Sequence, residues 1–174
     1  MSFSKDRVIF GITGHRDLCK RDLDYLKREI KKIFEKYLKI YPGKKPVLLS
    51  PLAEGADMLA AEAALEEGME LWVEIPFEER AYLETFECKR SIKKYEDLKR
   101  YAKSFEISNC DYAKEGNGCF RKLGKKIADR SDILIALWDG KDNGKEGGTA
   151  DIVNYAKSLK KTVCVVKTLR SSFL

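Results

Sequence analysis

The apolar run Val8-Ile9-Phe10-Gly11-Ile12 leads directly into the polar turn Thr13-Gly14-His15-Arg16. A run that is apolar at every position predicts a strand buried on both faces, as in a parallel sheet. In the turn, Gly14 allows a positive φ or the close approach of a ligand, and Arg16 offers a planar fork of donors suited to phosphate or carboxylate. We therefore predict a buried strand that ends in a candidate anion-binding loop. An ordinary turn with a surface arginine is the alternative that these residues leave open.

The rest of the chain alternates short apolar runs with longer amphipathic segments. The apolar runs predict four more main strands, at residues 47–50, 71–75, 133–138 and 163–166, and a short extended piece around residues 105–107. The amphipathic segments predict helices at residues 21–41, 57–68, 118–130 and 149–158, and one or two polar helices within residues 78–102. This alternation predicts an α/β fold in three layers (α/β/α), with helices on both faces of a mainly parallel sheet. We expect the strand order 3-2-1-4-5, a single domain over residues 1–174, and a ligand site beyond the carboxyl ends of the strands.

Composition and charge narrow the class of protein. The 174 residues are 44% hydrophobic and 36% charged, which suits a chain with a buried core and a solvated surface. The net charge of +6, from 34 Lys and Arg against 28 Asp and Glu, suits an anionic partner without identifying it. No apolar run approaches the roughly 18–20 residues of a membrane span, and the N-terminus lacks the pattern of a signal peptide. We therefore predict a cytoplasmic protein without a membrane partner.

The five cysteines are odd in number, scattered along the chain, and contain no CxxC pair. That spacing predicts neither a disulfide framework nor a zinc site. A catalytic thiol would need a base, and His15 is the sole histidine. We therefore predict no metal site and disfavour catalysis by a Cys–His pair.

Three loops that follow predicted strands should meet at one edge of the sheet, because parallel strands end on the same side. The candidate ligand-binding residues are Gly11, Thr13, Gly14, His15 and Arg16 in the first loop, Ser50, Glu54, Gly55 and Asp57 in the second, and Trp138, Asp139, Gly140, Gly147, Gly148 and Thr149 in the third. Glycines that open a helix favour phosphate, whereas the carboxylates of Glu54 and Asp139 suit ribose hydroxyls. We expect Glu54 to point into the cleft, and Asp57 is also the expected N-cap of the second helix.

Two common nucleotide-binding motifs are missing from the chain. Neither GxxxxGK[ST] nor GxGxxG occurs. Their absence argues against a P-loop ATPase and against an ordinary NAD dehydrogenase. We therefore predict no cofactor.

The segments GITGHRDL (11–18), LSPLAEGADMLAAEAAL (49–65) and SDILIALWDGKDNGKEGGTADIVNYA (131–156) together resemble the SLOG superfamily. That superfamily contains the Lonely Guy phosphoribohydrolases, the DNA-processing protein A domain, and ligand-sensing domains of bacterial nucleotide-signalling and defence systems. The resemblance extends over about residues 8–166 and implies a Rossmann-like sheet. It also implies a nucleotide or nucleotide-sugar pocket formed by Gly14, His15, Arg16, Glu54, Gly55, Asp139, Gly147, Gly148 and Thr149.

The chain departs from the hydrolases at their motif PGGxGTxxE, whose terminal glutamate helps to cleave the N-glycosidic bond. This chain has Gly147-Gly148-Thr149 without the extra glycine. Ile152 stands at the glutamate position, and Asp151 lies one residue earlier. The departure argues against release of a base, and the chain is most similar to the short sensor-type members.

Three functional hypotheses follow from the residues and the resemblance. The leading one is a domain that binds a small nucleotide or an ADP-ribose-like nucleotide-sugar without catalysis, in bacterial or archaeal signalling or defence. The second is a nucleoside 5′-monophosphate phosphoribohydrolase with Glu54, Asp151 and Arg16 as candidate catalytic residues, so it stays open whether the protein is an enzyme. The third is a single-stranded DNA binder that uses basic helix faces and aromatic side chains.

The leading hypothesis also sets the expected partners. These are the nucleotide ligand, further copies of the chain in a homo-oligomer, and a separate effector protein as an open option. The helix predicted at residues 21–41 carries enough apolar residues to support association between copies. Nucleic acid is not expected as a partner under this hypothesis.

Overall fold

Six strands form one sheet in the computed structural model, which describes residues 6–171. The strands are β1 (Arg7–Gly14), β2 (Lys45–Ser50), β3 (Glu70–Ile75), β4 (Ala102–Ile107), β5 (Ile133–Trp138) and β6 (Thr162–Lys167). The helices are α1 (Leu23–Ile40), α2 (Ala56–Glu66), α3 (Glu79–Glu84), α4 (Lys89–Lys99), α5 (Tyr112–Glu115), α6 (Gly118–Arg130) and α7 (Thr149–Ser158), and a short 3-10 turn, Lys20–Asp22, precedes α1. Every pairing between these strands is parallel, so their carboxyl ends lie at one edge.

The strand order is β4-β3-β2-β1-β5-β6, which differs from the predicted order 3-2-1-4-5 by one additional strand. The prediction left out β4, which was read only as a short extended piece around residue 105. This segment pairs with β3 from Ala102 to Ile107 and forms an edge of the sheet. An edge strand is partly open to solvent, so it lacks the continuous apolar run that marks the inner strands. The five predicted strands keep their relative order, and the switch point lies between β1 and β5.

One face of the sheet packs against α1 and α2. The β1 side chains on this face are Val8, Phe10 and Ile12. Helix α1 buries Leu26, Ile30 and Phe34, which lie one helical turn apart. The rings of Phe34 and Phe10 meet edge-on at 5.0 Å between centroids. The apolar stripe of α1 is thus used inside the chain, and association between copies stays a prediction.

The other face packs against α6 and α7. Its buried side chains are Ile9, Val47, Leu49 and Leu134 from the sheet and Leu123, Ile127, Ala128, Ile152 and Ala156 from the helices. Close packing here needs a small residue on β1, because a Cβ at Gly11 would lie 2.1 Å from Ser131 Oγ. Gly11 was predicted to bind ligand, and the structure instead gives it a packing role.

Toward the β4 edge, the second face carries a charged cluster. Glu74 is only 1% exposed, and its carboxylate pairs with Arg130 at 2.7 Å and also with Lys126. The guanidinium groups of Arg7 and Arg130 both lie over the Trp72 ring, 5.5 and 5.8 Å from its centroid. Part of the surplus of basic residues is therefore used in internal ion pairs rather than presented to a partner.

Cys110 and Cys119 form a disulfide, although the spacing of the cysteines predicted no disulfide framework. The two residues lie nine positions apart, and α5 with the turn after it brings their Cα atoms to 5.7 Å. That separation lies within the range of about 4.4–6.8 Å for a disulfide. Sequence spacing did not reveal the bond because its closure depends on this local turn.

No helix within residues 6–171 is long and apolar enough to cross a membrane. The prediction that there is no signal peptide concerns the N-terminus, and residues 1–5 lie outside the described part of the chain. Residues 172–174 of the predicted domain also lie outside it.

Candidate functional site

A cleft of about 450 Å³ opens beyond the carboxyl ends of β1 and β5, at the switch point of the sheet. Its volume falls within the range of about 300–1,000 Å³ that is usual for small-molecule sites. The sequence-predicted residues that line it are Thr13, Gly14, His15, Arg16, Gly147, Gly148 and Thr149. The structure therefore brings the first and third predicted loops together in one cleft.

The third loop brings the start of α7 to the cleft. Gly147 has a φ of +72°, and a Cβ there would lie 2.8 Å from the backbone nitrogen of Arg121, so this position requires glycine. The N-cap of α7 is Gly148, which has no side chain to accept a cap hydrogen bond. The N–H groups of the first turn thus lack a side-chain acceptor, where Thr149 and Ala150 line the cleft. Together with the positive end of the helix dipole, they suit a phosphate.

Arg16 is positioned by two aromatic rings and a carbonyl oxygen. Its guanidinium lies 5.7 Å from the ring centroid of Phe86 and 5.6 Å from that of Phe120. Arg16 Nη1 donates a hydrogen bond to the carbonyl oxygen of Thr85 at 3.3 Å. The side chain remains 32% exposed and lines the cleft. A planar cation held in this way can bind an anion through two parallel hydrogen bonds.

Glu54 does not line the cleft, although the sequence led us to expect that it would face the ligand. Its side chain is 8% exposed, and Oε1 accepts a hydrogen bond from the Glu87 N–H at 2.9 Å. Oε2 has no hydrogen-bond partner among residues 6–171 and lies 4.0 Å from Arg16 Nη1. The reason is the next residue, Gly55, which packs against the backbone carbonyls of His15 and Arg16 and draws residue 54 inward. Glu54 therefore supports Arg16 from within the protein.

Asp151, the other candidate acid or base, is engaged inside the fold. Its Oδ2 accepts hydrogen bonds from Arg121 Nε at 2.8 Å and from the Gly147 N–H at 2.9 Å. Burial raises the pKa of Asp151, but these hydrogen bonds outweigh it and leave the pKa below its usual value. Ile152, at the position of the hydrolase glutamate, is 2% exposed in the core. Neither position presents a carboxyl group to the cleft.

His15 joins the first loop to the tip of β5. Its Nε2 lies 3.1 Å from both the backbone nitrogen and Oδ1 of Asp139. Burial lowers the pKa of His15 and Asp139 raises it, and the net shift is downward, which favours the neutral ring. Asp139 Oδ1 also accepts the Lys141 N–H at 3.0 Å. The carboxylate predicted to take ribose hydroxyls is therefore already engaged, and of this pair only His15 lines the cleft.

Asp57 lines a smaller cavity of about 110 Å³, which shares Thr13 and Arg16 with the cleft. It is not the N-cap that the sequence predicted, because α2 begins one residue earlier with Gly55 as its N-cap. Asp57 Oδ2 accepts the Ala53 N–H at 3.2 Å. Burial raises the pKa of Asp57 to about 7, despite this hydrogen bond and the charge of Arg16. The carboxyl group is therefore largely protonated in slightly acidic solution.

Other predicted residues shape the loops around the cleft without lining it. Besides Gly11, they are Ser50, Gly55, Trp138 and Gly140. Ser50 Oγ accepts the Leu52 N–H at 3.1 Å, which stabilises the turn after β2. Trp138 Nε1 donates to the Lys141 carbonyl oxygen at 3.0 Å, which stabilises the turn after β5.

The cleft also contains residues that the sequence did not single out. They come from the loop after β1, the α3–α4 turn, the α5–α6 region, the loop after β5 and the segment after β6: Asp17, Thr85, Glu87, Tyr112, Asn117, Phe120, Lys141, Asn143, Lys145, Glu146 and Arg170. Arg170 Nε donates to both carboxylate oxygens of Asp17, at 2.9 and 3.0 Å. This pair holds the segment after β6 against the first loop. Of these segments, only the loop at residues 141–145 has a sequence that suggests a ligand-binding loop, because it contains a glycine and several charged residues.

One group of potential metal ligands occurs in the described part of the chain. Donor atoms of Cys110, Glu115 and Cys119 lie within 4.8 Å of one another. Both sulfurs are joined in the disulfide, so the group offers no thiolate to a metal ion.

The parallel sheet and the cleft at its switch point define a Rossmann-like α/β protein. Three solved structures share this fold. DNA processing protein A from Streptococcus pneumoniae matches with a TM-score of 0.63 and 16% identity, over 95% of this chain and 52% of that one. A structure of DNA processing protein A from Helicobacter pylori, which concerns its single-stranded DNA binding mode, matches with a TM-score of 0.58 and 17% identity, over 94% and 67%. The structural genomics target TM1055 matches with a TM-score of 0.52 and 14% identity, over 90% and 72%.

At these identities the likeness concerns the fold alone. The chain spans about half the length of the Streptococcus pneumoniae protein that it matches. No protein-family model matches the sequence, and no curated protein does so.

The expectation that nucleic acid is not a partner was wrong. Two of the matched structures are of DNA processing protein A, and one of them concerns the binding of single-stranded DNA. The physical reason is that a free nucleotide and a DNA strand present the same phosphate group to an anion-binding loop. The anion site therefore gave no ground for excluding nucleic acid.

Proposed function

We propose that the cleft binds a nucleotide or nucleotide-sugar through its phosphate and leaves the ligand intact. The observation that carries this proposal is the uncapped start of α7, where Gly147, Gly148 and Thr149 share one cleft with Arg16. Backbone donors and a planar cation are the groups that phosphate binding requires. Each hydrogen bond to a charged group contributes about 1.5–3 kcal/mol, so a few of them suffice for a small ligand.

The positions of the two candidate catalytic carboxylates, Glu54 and Asp151, favour binding over hydrolysis. A phosphoribohydrolase needs an acid or base within hydrogen-bond reach of the reacting bond. Asp151 is held by Arg121 and Gly147, and Glu54 is held by Glu87. Neither lines the cleft, and Ile152 occupies the position of the hydrolase glutamate.

Single-stranded DNA is the second candidate ligand, and the two DNA processing protein A structures favour it. A strand would need further cations along its path beyond the cleft. Some basic side chains on α1 are paired instead: Lys27 lies 2.9 Å from Glu66, and Lys31 lies 2.7 Å from the same carboxylate. A free nucleotide requires only the groups inside the cleft, which is why we place it first.

Calorimetric titration with AMP, ADP-ribose and a 5′-phosphorylated oligothymidylate tests the proposal. Binding of AMP or ADP-ribose, with the compound recovered intact by chromatography, supports it. Release of a free base instead identifies a hydrolase. Binding of the oligonucleotide alone, with an affinity that falls steeply as salt increases, identifies a DNA binder.

Arg16→Lys is expected to weaken the binding of AMP by about 1–3 kcal/mol, because an ammonium group cannot supply two parallel hydrogen bonds or stack on two rings. Calorimetry measures the loss. Arg80→Lys is the matched control, since Arg80 is 88% exposed and outside the cleft, and it should bind AMP as the wild type does. Equal affinities of Arg16→Lys and the wild type would remove Arg16 from the ligand site.

A further inference from the structure

The segment between β4 and α6 gives the cleft an aromatic part. Tyr112, in α5, lines the cleft and is 36% exposed. Its ring stacks on Phe77 with 4.2 Å between centroids and 14° between ring planes. Phe77 is only 1% exposed, so it anchors one face of the tyrosine to the core. The exposed surface of Tyr112 is therefore a rigid aromatic platform beside the cleft.

Asn117 contributes an amide to the same cleft. It occupies the N-cap position of α6, yet its side chain makes no cap hydrogen bond. The side chain has no other hydrogen bond within residues 6–171. A primary amide carries both a donor and an acceptor, the combination that the hydrogen-bonding edge of a base matches. An aromatic ring and an unengaged amide thus lie in one cleft with a phosphate site.

The disulfide holds this segment in place. It closes the loop that contains Tyr112 and Asn117 and joins it to the first turn of α6, where Cys119 is 1% exposed. Helix α5 has only four residues, none of them buried, and its Tyr112 ring packs on Phe77, so the disulfide adds a second restraint on this segment. A cross-link that restricts a binding segment lowers the entropy lost when a ligand binds.

We propose that Tyr112 and Asn117 form a nucleobase subsite of the cleft and that the Cys110–Cys119 disulfide keeps this subsite in position. The inference rests on the proposed function, since it places the phosphate of the same ligand at the start of α7. The base extends the stack of Phe77 and Tyr112, and the Asn117 amide binds its edge. A purine overlaps the ring more than a pyrimidine does, so purine nucleotides bind more tightly.

Titration with AMP and with ribose 5-phosphate separates the base subsite from the phosphate site. The wild type should bind AMP about 5- to 100-fold more tightly than ribose 5-phosphate, the range for one stacked base. Tyr112→Ala should remove most of this difference and leave the affinity for ribose 5-phosphate unchanged, whereas Tyr112→Phe should preserve it. Tyr101→Ala, at a residue that is 69% exposed and outside the cleft, should behave as the wild type.

A dithiol reductant tests the role of the disulfide. It passes two electrons and two protons to the Cys110–Cys119 bond, which opens to two thiols while the reductant forms its own disulfide. Reduction should weaken the binding of AMP to the wild type several-fold and leave ribose 5-phosphate unaffected. The double variant Cys110→Ser, Cys119→Ser should bind AMP equally weakly with and without the reductant.

The outcomes distinguish this inference from the function on which it rests. Equal affinities of the wild type and Tyr112→Ala for AMP, with ribose 5-phosphate still bound, overturn the base subsite and leave the proposed function standing. If the wild type binds none of AMP, ADP-ribose and ribose 5-phosphate, both the proposed function and the subsite are overturned. If reduction does not change the affinity for AMP, the role of the disulfide is overturned.

Discussion

An alanine at position 55 is expected to lower the free energy of unfolding by about 3 kcal/mol or more. Gly55 has a φ of +77° and a ψ of −116°, a backbone conformation that residues with a Cβ rarely adopt. A Cβ would also lie 2.4 Å from the Arg16 carbonyl oxygen and 2.5 Å from that of His15. Relief of this overlap has to displace the loop after β1. Gly55→Ala should therefore weaken ligand binding as well as stability, and urea unfolding and calorimetry measure the two effects.

Gly68→Ala is the matched control for this variant. Gly68 also has a positive φ, of +69°, but a Cβ there would meet nothing within 4 Å. The control carries the cost of the backbone conformation alone, about 1–2 kcal/mol, and should leave the cleft unchanged. Equal losses of stability in the two variants would show that crowding by the first loop is not what requires glycine at position 55.

Asp57→Asn is expected to stabilise the protein by about 2–4 kcal/mol at pH 8 and to have little effect at pH 4. Burial raises the pKa of Asp57 from 3.8 to about 7, so the folded protein keeps a proton that the unfolded chain releases. The contribution of this group to stability is complete below about pH 4, is lost as the pH rises to about 7, and stays constant above that. Asparagine retains an oxygen for the Ala53 N–H and does not ionise. Urea unfolding at several pH values measures the difference between the variant and the wild type.

Asp151→Asn should show the opposite dependence on pH. Burial raises the pKa of Asp151, but hydrogen bonds from Gly147 and Arg121 lower it further, so the net shift is downward. A group with a lowered pKa stabilises the fold above its unfolded pKa and loses this contribution as the pH falls. The Asp151→Asn variant should therefore have a lower free energy of unfolding than the wild type at pH 8, and the difference should be smaller in acid.

The outcome that would contradict the Asp57 prediction is a gain in the free energy of unfolding of Asp57→Asn that is the same at pH 4 and pH 8. It would show that the buried carboxyl group does not hold its proton.

Features that depend on residues adjacent in the sequence could be predicted from the sequence. The run that became β1 is apolar because the strand is covered on both faces, and Gly14 and Arg16 follow it directly. The same holds for the loop that ends at Thr149, where glycines precede a helix. Strands and their loops meet at one sheet edge by topology alone, so these two parts of the cleft could be foreseen.

Features that depend on long-range packing were not predictable. Glu54 looked like a ligand-binding carboxylate because small residues surround it, yet contact between Gly55 and the first loop takes it away from the cleft. Tyr112 and Arg170 line the cleft because of the paths taken by segments far from the predicted motifs. Their own sequence neighbourhoods carry no pattern that indicates a site. The strand β4 was missed because it is an edge strand that is partly exposed to solvent, so its sequence lacks a continuous apolar run.

The position of β1 between β2 and β5 has a consequence for how the chain folds. Ile9 pairs with Val47, 38 residues further along the chain, whereas Phe10 pairs with Ile133, 123 residues further along. The first four strands can assemble through successive short crossovers, but β5 must return past them to close the centre of the sheet, and such non-local contacts form slowly. The cleft lies across this junction between β1 and β5. A ligand that contacts both the loop after β1 and the start of α7 binds only when β5 is paired with β1. Such a ligand would therefore stabilise the native packing of the last third of the chain.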